Sequence, residues 1–504
     1  MKISLKIFGL VTTLAGIAGV TRADAMDLDW SGQFRSEAAL INSYAPEAYN
    51  PAAQTAATGG YEVQPAGSKN ARFQDLFLRL RPKLIVNDNV VIKSEWWLGN
   101  PITGFYGSDY PGVARSDQRY YDSTYSGGSV ITAQRFWAEF LTDIGTFQVG
   151  RAPNHWGLGL VHNSGDGLWD RYQSTGDTYK LISKFGNFSL IPSHVKYDMG
   201  NAVGGTCVGG AACGHPTGGA TLSEYSVGLA YENKDEDFEG GVQMTRRIAG
   251  AQSESLWINN TAGGMNLTIW DVYAKKKAGK FDFGVEAPIY NGSLIGYTYK
   301  AFALALEAKY RANDTWSFQA KAGKVPGQRN SGGTATTPEK WTMVYFHPNY
   351  RLGLLMFNYN FGNFAGNNNP NNSATNTTAN GVKSIYDEPI TNANYLMLGT
   401  TLTADKWRFS GTFVTAKANE TAKTGEQYFN TRTRAYSTVV ANHDQSSDLG
   451  TEFDLGVALD WDEFTTFAID FGLLMQGDFY KFGGTADSDL KTMFGAVGSI
   501  GVRF

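Results

Sequence analysis

Apolar and charged side chains alternate with a period of two in many segments of this chain. Along residues 73–86, Leu78 and Leu80 fall on one face, and Arg79 and Arg81 fall on the other. Successive side chains of a β-strand point to opposite faces, so the pattern predicts strands with one apolar and one charged face. The same alternation recurs at residues 90–99, 280–287, 300–311 and 451–461.

Short and long connections alternate between the predicted strands. Tight turns, most of them rich in Asn, Asp or Gly, are predicted near residues 87–89, 143–145, 186–187, 233–236, 277–279, 313–314, 404–406 and 462–463. Long polar stretches are predicted near residues 43–72, 100–129, 153–175, 198–222, 250–265, 326–340, 362–391 and 418–448, with shorter ones near 291–299 and 478–489. Such sorting is typical of outer-membrane barrels, whose short turns face the periplasm and whose long loops face outside.

Residues 1–25 are predicted to be a secretory signal peptide. Lys2 gives a positive start, residues 7–20 carry no charge, and Ala23 and Ala25 form a small-residue cleavage site. The rest of the chain has no apolar run of about 18 residues, the length that a membrane-spanning helix needs. Because lipid tolerates no open sheet edge, a closed barrel is the way for such an exported chain to cross a bilayer. A soluble exported β-protein is the alternative, and the alternating connection lengths favour the barrel.

A single barrel domain is predicted over residues 26–504. The expected fold class is all-β, a transmembrane antiparallel up-and-down β-barrel of about 18–20 strands with long extracellular loops. The pattern gives about 18 strands, and a further pair over residues 341–346 and 350–361 would give 20. Barrels of this class have an even number of strands, which both totals satisfy.

The last predicted strand carries the most specific single feature. Leu490–Phe504 (LKTMFGAVGSIGVRF) alternates and ends on Phe504. A terminal amphipathic strand of this kind resembles the recognition signal of Gram-negative outer-membrane barrels, and the mature chain as a whole resembles a porin-type barrel. GRAPNHWGLGLVHNSGDG (150–167) and FHPNY (346–350) resemble segments of large barrels of predatory and social proteobacteria. The resemblance implies an outer-membrane location, contact with outer-membrane lipid and the barrel assembly machinery, and an assembly role for Phe504.

Composition narrows the classes of function. The chain has 504 residues, of which 59 are glycine, 13% are aromatic and 18% are charged, and its formal net charge is −4. Phosphate-backbone recognition needs a clustered basic surface, so no nucleic-acid partner is expected. The sequence contains no G-x-S-x-G, H-E-x-x-H, P-loop or Rossmann motif. We therefore predict that the protein is not an enzyme and has no cofactor or metal.

If the apolar faces meet lipid, the charged faces meet the barrel interior. An interior of about 18–20 strands is wide enough for an aqueous channel. The charges could face each other across the lumen and orient polar solutes, or they could pair along adjacent strands. The predicted lumen-lining residues are Arg79, Arg81, Lys83, Lys93, Glu95, Arg135, Glu139, Asp282, Glu286, Glu307, Lys309, Arg311, Glu452 and Asp454.

The loop over residues 150–175 has an unusual density of functional side chains. One hypothesis folds it inward as a constriction that sets the size and charge of the pore. A second hypothesis makes Asn163, Asp166 and Asp170 a calcium site, and a third keeps an ordinary outer loop whose tryptophans lie at the membrane interface. The residues proposed for the constriction are Arg151, His155, Trp156, Asp166, Asp170 and Arg171.

Two cysteines, Cys207 and Cys213, lie in the long loop 198–222. An exported chain meets an oxidising compartment, so a small disulfide that staples this loop is predicted.

The function expected from these features is an outer-membrane channel through which small hydrophilic solutes diffuse along a charged lumen. Two alternatives stay open at this point. One is a structural or adhesive barrel that uses its long loops. The other is a transporter of apolar solutes, because Asn50-Pro51-Ala52 resembles a short motif of long-chain fatty-acid transport barrels.

Overall fold

The computed structural model describes residues 27–42, 71–99, 131–198, 221–249, 264–294, 296–330, 340–359, 389–430, 435–436, 443–482 and 490–504. The predicted signal peptide and Cys207 and Cys213 lie outside these residues. No helix in the described ranges has the length and apolar character needed to cross a membrane.

Regular structure in these ranges is nearly all β-strand. The strands are β1 (Asp27–Asn42), β2 (Ala71–Asn87), β3 (Val90–Leu98), β4 (Ile131–Thr142), β5 (Gly145–Pro153), β6 (Thr175–Phe185), β7 (Phe188–Asp198), β8 (Thr221–Asn233), β9 (Phe238–Ala249), β10 (Met265–Ala278), β11 (Phe281–Leu294), β12 (Tyr297–Phe302), β13 (Leu304–Arg311), β14 (Trp316–Val325), β15 (Lys340–Trp341), β16 (Ala393–Ala404), β17 (Trp407–Lys417), β18 (Phe429–Asn430), β19 (Ala435–Tyr436), β20 (Asp448–Asp460), β21 (Thr465–Gln476) and β22 (Met493–Arg503).

The described strands form a closed antiparallel barrel of 18 strands. β12 and β13 both pair with β11 and are two parts of one barrel strand. Closure comes from β1, which pairs with β2 on one side and with β22 on the other. β15 is a two-residue strand that pairs in parallel with β12 without forming a strand of the barrel, and the two-residue strands β18 and β19 form a separate sheet. The predicted all-β, up-and-down barrel is therefore confirmed.

All eight predicted tight turns join neighbouring strands at one end of the barrel, which we call the turn end. The opposite end, where the long connections lie, is the long-loop end. Asn and Asp side chains stabilise several turns, because their oxygens accept the backbone N–H two residues on. Asn87 accepts from Asn89 at 2.9 Å, and Asp462 accepts from Phe464 at 2.9 Å.

The outer face of the wall is apolar. On β21, Phe467, Ile469, Phe471 and Leu473 are exposed in the isolated chain, while the intervening side chains point inward. An apolar outer band on a closed barrel is the surface that lipid covers, because the closed ladder leaves no backbone group unpaired.

The predicted extra pair of strands is wrong. Residues 350–359 form turns inside the barrel, and only Lys340–Trp341 of the partner segment is extended in the sheet. Leu355 and Tyr359 are fully buried there. The apolar residues of this segment alternate because they pack against the inner wall, and not because they face lipid.

The interior differs between its two ends. The inward face of β10 begins at the long-loop end with Met265, Leu267 and Ile269 and continues toward the turn end with Asp271 and Lys275. Other strands follow the same order, and their apolar ends form one buried cluster with the inward segments. The long-loop half of the interior is thus filled by apolar side chains over much of its width, and charged side chains lie toward the turn end.

Candidate functional site in the barrel interior

The loop between β5 and β6, residues 154–174, crosses the interior of the barrel. Near its start, the buried indole N–H of Trp156 donates to the carbonyl of Asp271 on β10 at 3.2 Å. The ring packs edge-on against Tyr273, with centroids 5.1 Å apart. Gly241 on β9 leaves the room for it, since a Cβ there would lie 2.9 Å from the Trp156 ring.

Glu286 on β11 holds the next part of this loop. Its carboxylate accepts hydrogen bonds from the backbone N–H groups of Leu158 and Leu160, the second at 3.1 Å. The side chain is 0% exposed. A buried carboxylate needs donors, and buried backbone N–H groups need acceptors, so each side satisfies the other.

Arginines of β1 and β2 hold the far part of the loop. Arg35 donates to the carbonyls of Leu168 and Asp170 at 2.9 and 2.8 Å, and Arg79 donates to the carbonyl of Gly165 at 2.8 Å. Both arginines are 1% exposed. The loop is therefore fixed on both sides of the barrel and spans the space between them.

Three further ion pairs link the loop to the wall. Arg171 donates to both oxygens of Glu37, at 2.8 and 2.7 Å. Asp166 lies between Arg81 and Arg135, at 2.6 and 2.9 Å. Burial acts to raise the pKa of Asp166, but the two guanidinium groups outweigh it and hold that pKa below its usual value. Asp166 is therefore ionised at neutral pH.

Residues 340–359 form a second inward segment, held in the same way by β20. Glu452 on β20 accepts hydrogen bonds from the backbone N–H groups of Leu355 and Met356, both at 2.6 Å. Its neighbour Asp454 accepts a third from the preceding residue at 3.0 Å. Two carboxylates, Glu286 and Glu452, thus each bind two backbone N–H groups of one inward segment.

The two inward segments meet inside the barrel. The backbone N–H of His347 donates to the carbonyl of Leu160 at 2.7 Å, and the side-chain amide of Asn349 donates to the carbonyl of Tyr172 at the same distance. Burial lowers the pKa of His347 to about 3, so its ring is neutral at neutral pH. Together the segments form a partition across the interior.

On the turn side of this partition the interior holds a cavity of about 840 Å³. Ion pairs line it, among them Lys321–Glu307 at 2.9 Å and Lys275–Glu239 at 3.8 Å. His155 of the inward loop also reaches the cavity. Burial and the positive charge of Lys275 lower the pKa of His155.

A second group of charges lies beside the inward loop, on β2, β3 and β4. Arg81, Lys93 and Glu139 remain 27%, 33% and 18% exposed, although they point into the barrel. Around the far part of the loop, residues 164–171, arginines exceed carboxylates, whereas the carboxylates Glu286 and Glu224 contact its first part. The arginines are Arg35, Arg79, Arg81, Arg135, Arg171 and Arg351, and the carboxylates are Glu37, Glu95, Asp166 and Asp170.

Solved structures of similar shape are outer-membrane proteins whose sequences share little identity with this chain. OccK9 (OpdG) of Pseudomonas aeruginosa is 11% identical at a TM-score of 0.47, over 95% of this chain and 99% of that one. OpdK of the same organism, solved with vanillate, is 9% identical at 0.45, over 94% and 98%. An anion-selective porin from Comamonas acidovorans is 11% identical at 0.40, over 95% and 100%. No protein-family model and no curated protein matches the sequence.

A closed barrel of 18 strands with an apolar outer band and an inward-folded loop decides the class. The chain folds as a closed 18-stranded barrel of the porin type.

The porin-type barrel places all fourteen predicted lumen residues on the inward faces of their strands. They do not all meet open space, however. Arg79, Glu95, Arg135, Glu286 and Glu452 are 2% exposed or less and contact the inward segments or one another. The inward segments therefore turn part of the expected water-filled wall into a packed polar core.

Arg151 does not belong to the constriction. It is still part of β5, where it shares the outward face with Phe147, and it pairs with Asp177 at 2.9 Å on the outside of the barrel. The other five proposed residues, His155, Trp156, Asp166, Asp170 and Arg171, lie on the inward loop. The loop begins at Asn154, after the end of β5, and not at residue 150 as the sequence pattern suggested.

The calcium hypothesis is not supported by the described geometry. Arginines take the carboxylate of Asp166, and Asp170 accepts the backbone N–H of Gly167 at 2.8 Å. No group of three or more His, Cys, Asp or Glu side chains that could hold a metal ion is found in the described part of the chain.

Sequence reasoning missed several residues of the interior, among them Arg35, Glu37 and Arg351. Arg35 and Glu37 occupy alternate positions of β1, so the period-two pattern of that strand could have revealed them. Arg351 lies in the second inward segment, where burial among cations lowers its pKa to about 10. The alternation of that segment does not come from a strand, so it could not assign Arg351 to the interior.

Proposed function

We propose that this porin-type barrel is an outer-membrane channel through which small hydrophilic solutes diffuse. The observation that supports this is the partly exposed, ion-paired interior on the turn side of the partition, with its cavity of about 840 Å³. Charges buried without water would cost far more than charges in a hydrated passage. A diffusing polar solute can exchange water contacts for contacts with such a wall.

We further propose that the route runs beside the inward loop along β2–β5. The long-loop ends of β10, β14, β16, β17 and β20–β22 contribute to the buried apolar cluster, which leaves no polar path through that part of the described interior. Lys93 and Glu139 stay partly exposed on the other arc. His155 connects the two regions, since it reaches the cavity and its Nδ1 accepts the backbone N–H of Ser164.

The excess of arginine around the far part of the loop favours anionic over cationic solutes on this route. A positive potential in a narrow passage with low-dielectric walls concentrates anions and acts over about 10 Å at 0.1 M salt. The orientation follows from loop length, with the long-loop end outside the cell and the turn end in the periplasm.

Conductance of the purified full-length protein in planar bilayers tests the proposal. We expect ohmic single-channel steps, and Arg81→Glu with Lys83→Glu should shift the reversal potential in a salt gradient toward cation preference. Lys196→Glu with Lys300→Glu is the matched control, because both lysines face outward and the change in charge is the same. The shift should be largest at low salt.

Absence of any conductance would overturn the channel and favour the structural or adhesive barrel. If the protein conducts and the reversal potential shifts equally in both double variants, the channel proposal stands. Arg81 and Lys83 would then not determine its ion selectivity.

A further inference from the structure

Three buried side chains that carry oxygen atoms converge from neighbouring strands beside the start of the inward loop. Gln243 on β9 lies directly opposite Asp271 on β10. Glu286 on β11 precedes Pro288, the partner of Asp271 on that strand, by two residues and so lies diagonally across from Asp271. Cβ atoms are about 5 Å apart at opposed positions and about 7–8 Å apart at diagonal ones. The three side chains are 4%, 2% and 0% exposed, so they share one closed site.

The free groups of this site are hydrogen-bond acceptors. Neither carboxylate oxygen of Asp271 has a hydrogen-bond partner, and neither does the amide oxygen of Gln243. The amide nitrogen of Gln243 lies on the side of β8, 3.7 Å from the place that a Cβ on Gly228 would take, so the amide oxygen is directed toward Asp271. The next inward hydroxyl of β9, that of Thr245, already pairs with Ser226 at 3.0 Å. Oxygen atoms therefore face one another with no proton donor between them.

Cations of the wall do not balance the two carboxylates of this site. Within the described residues, neither Asp271 nor Glu286 forms an ion pair with a cationic side chain. The nearest inward cations of β9 and β10 are Arg247 and Lys275, which pair with other carboxylates at 2.6 and 3.8 Å. Buried carboxylates without a cation are strongly disfavoured, and a bound cation removes that cost.

The inward loop covers the site and is held by the same residues. The indole N–H of Trp156 donates to the backbone carbonyl of Asp271 at 3.2 Å. The carboxylate of Glu286 accepts the backbone N–H of Leu160 at 3.1 Å. An ion held by the side chains of Asp271 and Glu286 is thus attached directly to the two anchors of the first part of the loop.

We propose that Gln243, Asp271 and Glu286 bind one Ca²⁺ ion beneath the inward loop. Carboxylate and amide oxygens are ligands that Ca²⁺ takes in proteins, and its coordination geometry is flexible. Mg²⁺ requires a nearly ideal octahedron and keeps several waters, which does not suit a site enclosed by three strands and a loop. The set has no nitrogen or sulfur ligand of the kind that transition metals prefer. This inference does not depend on which solute the channel admits, since it concerns how the loop is fixed.

Terbium luminescence of the folded full-length protein in detergent, after bound metal has been removed with a chelator, tests the site. Tb³⁺ replaces Ca²⁺ at oxygen sites, and an indole close to the ion, here that of Trp156, transfers excitation energy to it. The test variant is Asp271→Asn, which keeps the shape of the side chain and removes one charged ligand. The control is Asp177→Asn, the same change at a carboxylate that pairs with Arg151 on the outer face. Heat-modifiable migration checks that each variant is folded.

We expect Tb³⁺ emission on tryptophan excitation in the wild type and in the control, and we expect Ca²⁺ to displace it at concentrations at which Mg²⁺ does not. Asp271→Asn should lose this emission. If Asp271→Asn does not fold, Gln243→Leu, which removes the uncharged ligand, should lose it instead.

Equal emission in Asp271→Asn and the control would overturn the proposal, because the ion would then be bound by other carboxylates. Absence of emission that Ca²⁺ displaces in the wild type would overturn it too, since the two buried carboxyl groups would then share a proton and not a metal ion. Equal displacement by Mg²⁺ and Ca²⁺ would contradict the assignment of the site to Ca²⁺.

Discussion

Glu286 and Glu452 are inward-facing carboxylates, yet the groups they bind are backbone amides of the inward segments. Alternation on a strand can predict that such a side chain points inward. It cannot predict the partner, because the amides lie 126 and 97 residues away in segments that are not barrel strands. The sequence therefore predicts that both side chains point inward, but it does not predict which groups they bind.

Removing one acceptor from Glu286 should loosen the inward loop. Glu286→Gln keeps one oxygen and turns an amide N–H₂ toward a backbone N–H, so one buried N–H loses its acceptor at a cost of about 1–3 kcal/mol. We expect larger or more frequent current fluctuations in single-channel records.

Glu307→Gln is the control for this change, because Glu307 pairs with Lys321 at a partly exposed site and does not touch the inward loop through any described hydrogen bond. Such pairs contribute little. Identical current noise in the two variants would contradict an anchoring role for Glu286.

The buried His347 predicts a dependence on pH. Its pKa is about 3 in the packed segment, against 6.5 for a free side chain. A displaced segment therefore binds a proton between these values while the packed one does not. Packing is unaffected above about pH 6.5 and weakens as the pH falls.

The measurement is open-channel current and its fluctuations from pH 7 to pH 4. Fluctuations should increase toward acid pH in the wild type and increase less in His347→Asn. Asn stays neutral and can still accept the backbone N–H of Asn349, which His347 accepts at 3.2 Å. Equal acid responses would show that other groups control the segment.

At the scale of elements, strands and turns were predictable because one local rule governs each of them. Alternation fixes the face of a strand, and Asn, Asp or Gly fixes a tight turn. The same rule gave a wrong prediction for residues 350–361, because apolar side chains are favoured against the inner wall as they are against lipid. The strand number of 18 came from closure of β1 on β22, a contact between the two ends of the chain that no local pattern contains.

That closure divides the predicted assembly role of Phe504 into two parts that can be tested separately. Its backbone exchanges two hydrogen bonds with Gly32, at 2.7 and 3.1 Å, and its ring lies over the same glycine. Deleting Phe504 removes both parts, while Phe504→Ala removes only the ring. We expect heat-modifiable folding to fall most in the deletion and less in Phe504→Ala. Unchanged folding in the deletion would contradict the prediction.

At the scale of the whole molecule, several opposite charges of the interior pair along neighbouring strands. Lys93–Glu139 at 2.8 Å and Lys321–Glu307 at 2.9 Å are such pairs. Glu452 and Asp454 on β20 instead bind backbone N–H groups of the second inward segment. The two arcs also differ in packing, because apolar side chains fill the long-loop half of the later strands and charged ones stay partly exposed on the earlier strands.

Cysteine accessibility measures this division directly. Gln148 on β5 points inward and is half-buried beside Glu139, whereas Val414 on β17 is 0% exposed within the apolar cluster. In a background with Cys207→Ser and Cys213→Ser, a charged thiosulfonate should react with Gln148→Cys and reduce the single-channel current. Val414→Cys should not react in the folded barrel and should react after unfolding. The reaction after unfolding shows that the thiol itself is reactive.

Fast reaction at Val414→Cys in the folded barrel would show that water enters the apolar half. If the protein conducts but Gln148→Cys does not react with the thiosulfonate, the route does not pass Gln148. A thiol on a water-filled ion route is accessible to the charged reagent, so it should be modified.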